Sequence, residues 1–133
     1  MRVLVLGGTT EASRLAKALA TRPDLDATLS LAGRTEAPAV QPIATRIGGF
    51  GGVEGLARYL RDQTIDVLVD ATHPFAVQIS KNAAEAAGRT GTPIVAFVRP
   101  AWTRADGDHW IEVADLDAAA RAIGEAPRRV LLT

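Results

Sequence analysis

The sequence predicts an α/β fold: an open parallel sheet with flanking helices in strand order 3-2-1-4-5, plus the first βαβ unit of a second α/β domain. Three observations carry this. Short apolar runs of strand length alternate with amphipathic stretches of helical period. Turns rich in glycine, threonine or proline separate them. Several runs are apolar on both faces, as strands buried under helices on either side are. Hydrophobic residues make up 47% and charged residues 23% of the 133 positions, which supports a packed core and argues against disorder.

The elements follow in order. Arg2–Leu6 is the first strand, running into Gly7-Gly8-Thr9-Thr10. The first helix covers Thr10–Thr21, with Leu15, Ala16, Leu19 and Ala20 inward. Asp26–Ala32 is the second strand, ending in Gly33-Arg34-Thr35. Thr45–Ile47 is a short third strand before Gly48-Gly49-Phe50-Gly51-Gly52. A helix over Val53–Asp62 turns Leu56, Ala57 and Leu60 inward. Ile65–Asp70 is the fourth strand, followed by Ala71-Thr72-His73-Pro74. The next helix covers Phe75–Ala87, with Pro74 at its first position and Gly88 as its stop. Pro93–Val98 is the fifth strand. Right-handed crossovers between these parallel strands give the order 3-2-1-4-5.

The domain plan is then residues 1–98 for the first domain, 99–108 for a linker and 109–133 for the start of a second, truncated domain. In the second, Trp110–Val113 is a strand, Leu116–Ile123 a helix and Val130–Thr133 the next strand. A chain ending on a strand lacks the loop and helix that should follow, so a fragment of a longer protein is expected.

Formal net charge is zero and cysteine is absent. Nothing global favours nucleic acid or an anionic membrane, and thiolate metal sites, disulfides and cysteine nucleophiles are excluded. No apolar run is long enough to cross a bilayer and no signal peptide precedes the first strand, so a cytoplasmic protein is expected. No His/Asp/Glu cluster has metal-ligand spacing. Any anion must be bound by a local arrangement.

The first turn offers one. Against the dinucleotide pattern G-x-G-x-x-G counted from Gly7, Thr9 holds the second glycine position and Ala12 the third. Gly7, Gly8, Thr9 and Thr10 either hold a phosphate at the helix N-terminus or form an ordinary turn with Thr9 or Thr10 as N-cap. Arg34, with Thr35, sits where such a domain meets the adenosine ribose. An arginine there favours the 2′-phosphate of NADP over NAD, although Glu36 is close; the alternative is a solvated loop arginine. The Gly48–Gly52 loop either passes close under a cofactor, with Phe50 on a ring, or is a flexible connection anchored by Phe50. Thr72 and His73 end the fourth strand beside the switch point. His73 is a weak catalytic candidate; an Asx-type turn with a capping histidine is the alternative. Arg99 and Trp102 suit a large, flat, acidic ligand, or else mark a hinge with an anchoring tryptophan.

Leu6-Gly7-Gly8-Thr9-Thr10-Glu11-Ala12, Asp70-Ala71-Thr72-His73-Pro74-Phe75-Ala76 and Arg99-Pro100-Ala101-Trp102 together resemble the signature segments of the precorrin-6A reductase family, which includes the cobalt-precorrin-6A reductases. The resemblance runs through the whole chain, and the family is nearly twice as long. It implies two Rossmann-like domains and an NADPH-dependent reduction of a macrocycle double bond in cobalamin biosynthesis, with precorrin-6A or cobalt-precorrin-6A as substrate. By position it implies Gly8, Thr9 and Thr10 on the pyrophosphate and Arg34 with Thr35 on the 2′-phosphate. Gly49, Phe50, Thr72 and His73 would line the nicotinamide side, and Arg99 and Trp102 would meet the carboxylate-rich substrate. Two other readings remain at this point. One is a different NADP-dependent reductase or epimerase, although Tyr59 lacks the lysine of a Tyr-x-x-x-Lys pair. The other is a non-catalytic nucleotide-sensing domain.

Overall fold

The structure is a computed structural model that describes residues 1–33, 40–100 and 102–131. It divides into two compact units, Met1–Pro100 and Ala101–Thr133.

The first unit is built on β1(Arg2–Leu6), β2(Asp26–Leu31), β3(Ala44–Ile47), β4(Val67–Asp70) and β5(Ile94–Ala96). All neighbours are parallel, in the order β3-β2-β1-β4-β5. Strand β1 lies at the centre, pairing Val3 with Ala27 on one side and with Val67 on the other. Its unbroken apolar run follows from that position, because alternate side chains enter two different cores. Val3 and Val5 pack with Leu29, Val69 and the small Ala12 and Ala16 of α1(Thr10–Leu19). Leu4 and Leu6 pack with Leu68, with Leu56, Ala57 and Leu60 of α2(Gly52–Asp62), and with Ala83, Ala86 and Ala87 of α3(Val77–Thr90). Alanine on α3 lets that helix sit close to the sheet and to α2.

The strand order and the buried face of α2 are as the sequence predicts. Several boundaries and one buried face differ: α1 ends at Leu19 rather than Thr21, β2 at Leu31 rather than Ala32, β3 begins at Ala44 rather than Thr45, and β4 begins at Val67 rather than Ile65. On α1, Ala12 is buried and Ala20 is exposed, because the packing centre lies near the helix start, against Gly7. Helix α3 begins at Val77 rather than Phe75 and runs through Gly88 to Thr90. Pro74 therefore lies in a turn ahead of the helix, and Gly91, with φ 69°, provides the left-handed stop. Gly88 does not end α3 because its Cα faces open space on an exposed side, where a helical glycine is tolerated. Strand β5 is shorter than expected, covering Ile94–Ala96.

The second unit contains α4(Leu116–Ile123), capped by Asp115, whose side chain accepts from the Ala118 N–H at 2.7 Å. The strands expected at Trp110–Val113 and Val130–Thr133 do not form among the described residues; Leu132 and Thr133 lie outside them. Instead His109, Ile111 and Val113 share a cleft of about 340 Å³ with Arg128, Val130 and one side of α4. The two segments have the alternation of strands, yet a two-stranded ribbon alone is marginal and no ladder forms.

Candidate functional site

The C-terminal ends of β1 to β4 open into a crevice of about 660 Å³. Ladder hydrogen bonds continue one residue past the strands and fix where the turns begin. Gly7 N–H donates to Ser30 O at 2.9 Å, Ala71 N–H to Leu6 O at 2.9 Å and Gly48 N–H to Leu31 O at 2.8 Å.

The first turn needs both of its glycines, for different reasons. A Cβ on Gly7 would stand 2.6 Å from Leu29 Cδ1 and 3.2 Å from the Ala12 Cβ. Ala12 thus does what the third glycine of the dinucleotide pattern does, keeping helix and strand close. Gly8 has φ +121°, a region side chains avoid, while the space around it is open toward the crevice. Thr9 is the N-cap of α1, and its Oγ1 accepts from Ala12 N–H at 3.1 Å. The same hydroxyl donates to Ala71 O at 2.9 Å. Its single proton is committed to that bond, so Thr9 ties the turn after β1 to the turn after β4. Thr10 is exposed on the first turn of α1.

The turn after β4 is built around the buried Asp70. Its Oδ1 accepts from the Thr72 N–H at 3.1 Å and from the Thr72 hydroxyl at 2.6 Å. The Thr72 hydroxyl also lies 3.3 Å from Ser80 Oγ on α3. His73 is exposed on the crevice wall, and its Nδ1 accepts from Phe75 N–H at 3.2 Å. A neutral His73 in that arrangement carries its proton on Nε2. The Asx turn is thus present, whereas His73 does not cap the helix: its bond lies in the turn before α3, whose N-cap Ala76 receives no side-chain bond.

Arg46 organises the turn after β3. It donates through Nη1 to Ser30 Oγ at 2.8 Å and to Gly48 O at 2.9 Å, and through Nη2 to Gly49 O at 3.1 Å. Its guanidinium carbon lies 3.9 Å from the centre of the Phe50 ring. The sequence reading missed Arg46. A cation just before a run of glycines was the available signal, because such a loop needs something to shape it.

Of the residues expected at the site, Gly7, Gly8, Gly49, Phe50, Thr72 and His73 line this one crevice, with Gly33, Gln78 and Asn82 as further members. Thr9 and Thr10 stand beside it at the α1 terminus. Within that crevice Gly49 and Phe50 follow β3 while Thr72 and His73 follow β4, with β2 and β1 between them, so the two pairs stand toward opposite ends. Three strand spacings separate those ends by roughly 14 Å. Arg99 donates to Glu11 through Nε at 3.0 Å and through Nη2 at 3.3 Å, so it meets the first turn of α1 rather than the crevice lining. That pair holds the Glu11 carboxyl below its ordinary range, chiefly through the Arg99 hydrogen bond. Trp102 is exposed and belongs to the second unit. Arg34 and Thr35 lie outside the described residues. No group of three or more metal-ligating side chains occurs among the described residues. No helix among them is long and apolar enough to cross a membrane.

Comparison with known proteins supplies the family. Residues 2–133 match the family of precorrin-6x reductases CbiJ/CobK. A precorrin-6A reductase of Rhodobacter capsulatus is 56% identical over 131 residues, which are 98% of this chain and 52% of that protein. One from a Sinorhizobium species is 53% identical, covering 98% of this chain and 50% of its own length. The solved structure of a CobK precorrin-6A reductase superposes with a TM-score of 0.88 at 56% identity, over 92% of this chain and 48% of that one. The chain therefore spans about half the length of the relatives it matches. With both its sequence and its sheet matched in this way, the chain belongs to the precorrin-6x reductase family.

Proposed function

We propose that the protein carrying this chain reduces a macrocycle double bond of precorrin-6A to give precorrin-6B in cobalamin biosynthesis, with NADPH as reductant. The observation that carries this reading is the relation to precorrin-6A reductases along nearly the whole chain, at identities above 50%. Because those relatives act on precorrin-6A by name, the metal-free substrate is favoured over the cobalt form. A cytoplasmic setting accords with a pathway run on a soluble reductant.

The residues fit a dinucleotide. The Gly7-Gly8 turn leaves backbone exposed at the start of α1, where N–H groups and the positive end of the helix dipole attract a pyrophosphate. The hydroxyl of Thr9 is held by Ala71 O, so phosphate donors here are backbone N–H groups and Thr10. The crevice then runs to both sides. Toward β2 and β3 it has Gly33, Gly49 and Phe50, the side on which such folds take adenosine. Arg34 and Thr35 follow Gly33 and would meet a 2′-phosphate. Toward β4 it has Thr72 and His73, the side left for the nicotinamide.

When bound, NADPH supplies the hydride. The chain's part is to orient and to exclude water. Asp70 and Ser80 fix Thr72, and Phe75 N–H fixes the His73 ring, so that neither side chain has to be ordered on binding. His73 Nε2 is free to hold a proton at the crevice wall; a water can equally deliver the proton that completes the reduction.

Incubating the full-length protein with precorrin-6A and NADPH should change the absorption spectrum of the macrocycle as conjugation is lost. An unchanged spectrum with folded protein would sink this reading. NADPH should bind more tightly than NADH, and Arg34→Ala should erode that preference by about tenfold or more, as loss of a charge-assisted pair does. Equal affinity for the two cofactors in the unaltered protein would refute the role of Arg34.

A further inference from the structure

The loop after β3 has little shape of its own. Gly48, Gly51 and Gly52 have φ of +115°, +79° and +82°, so a chain this rich in glycine loses much entropy when it is held in one form. Arg46 holds it. Three acceptors, Ser30 Oγ, Gly48 O and Gly49 O, take the edge of its guanidinium, and the Phe50 ring takes a face. Tyr59 of α2 stacks edge-on against Phe50, with ring centres 5.2 Å apart, and fixes that face in turn.

The direction of these bonds has a chemical result. A planar trans peptide points its C=O and the following N–H in opposite directions. The carbonyls of Gly48 and Gly49 face Arg46, so the N–H groups of Gly49 and Phe50 face away from it. Neither N–H has a partner among the described residues. Gly48, Gly49 and Phe50 line the crevice, and Arg46 is not among its lining residues. We infer that Arg46 is a positioning residue: it turns two successive peptide planes so that the amides of Gly49 and Phe50 become donors to an acceptor atom on the adenosine half of the cofactor. This rests on the proposed reading of the crevice. Lysine cannot replace arginine here, because one ammonium cannot reproduce the planar fork that meets three acceptors.

The test uses the full-length protein, Arg46→Lys and Phe50→Leu. Binding is measured for NADPH and for adenosine 2′,5′-bisphosphate, which lacks the nicotinamide half. Hydrogen exchange is followed at the Gly48 amide, whose bond to Leu31 O at 2.8 Å closes the base of the loop. The expected result for Arg46→Lys is a roughly tenfold loss of affinity for both ligands, equal for the two, with faster exchange at that amide. Phe50→Leu, which leaves the three hydrogen bonds in place, should cost less affinity and keep exchange slow. Unaltered affinity in Arg46→Lys, or a loss confined to NADPH, overturns the inference. So does slow exchange in Arg46→Lys. Failure of the unaltered protein to bind NADPH overturns the cofactor reading instead, and is seen before any variant is made.

Discussion

Thr9 shows how one side chain can be read two ways from sequence and settled only by a distant partner. Spacing placed a hydroxyl where a phosphate would come, and it equally placed an N-cap. The structure gives Thr9 the cap and adds the bond to Ala71 O, 62 residues away, which no local pattern could reveal. Thr9→Ala should cost about 1–2 kcal/mol in urea unfolding, while Thr9→Ser should stay near the parent value. Glu11 behaves similarly. Its place in the first turn of α1 was legible, but its partner Arg99 was assigned to the substrate. Glu11 has a folded pKa depressed below the ordinary 4.5. Stability from the pair is therefore present above that value and is lost as pH falls through the folded pKa. The stability difference between the parent and Arg99→Gln should be visible at neutral pH and vanish well below 4.5, as denaturation at both pH values would show.

At the scale of elements, helix α2 was placed within one residue and its buried face correctly, because Leu56, Ala57 and Leu60 give a clear period. Helix α3 was less legible. Its start and stop are expected at Pro74 and Gly88, but Pro74 lies in the turn before Val77, and the exposed Gly88 is tolerated within the helix until the left-handed Gly91 ends it. Two helical glycines now carry opposite predictions. Gly88 is exposed with nothing near its missing Cβ, so Gly88→Ala should stabilise by about 0.5–1 kcal/mol. Gly55 lies in the first turns of α2, and a Cβ there would stand 1.6 Å from the Phe50 carbonyl oxygen. Gly55→Ala should destabilise by about 2–3 kcal/mol, and it should also loosen the Phe50 loop. Thermal unfolding of the two variants side by side would show whether the signs differ.

At the scale of the molecule, the strand order followed from alternation and handedness alone, since β1 and β4 are apolar enough to be interior. The second unit was not legible in the same way. Alternation at Ile111 and Val113 marks which side chains share a face, but a ladder also needs neighbouring strands, and the described residues hold none there. Leu68 of β4 lies at zero exposure against the α2 and α3 residues of its core, and Leu68→Ala should cost about 2–5 kcal/mol in a cooperative unfolding transition.

The central place of β1 also sets a clock. Val3 pairs with Ala27, but its other neighbour is Val67, 64 residues further along. At a translation rate of roughly 5–20 residues per second, that partner leaves the ribosome some 3–13 s after β1 does. Throughout that interval the central strand of the sheet has one edge without its mate and open to other chains, long before the site over β1 can exist.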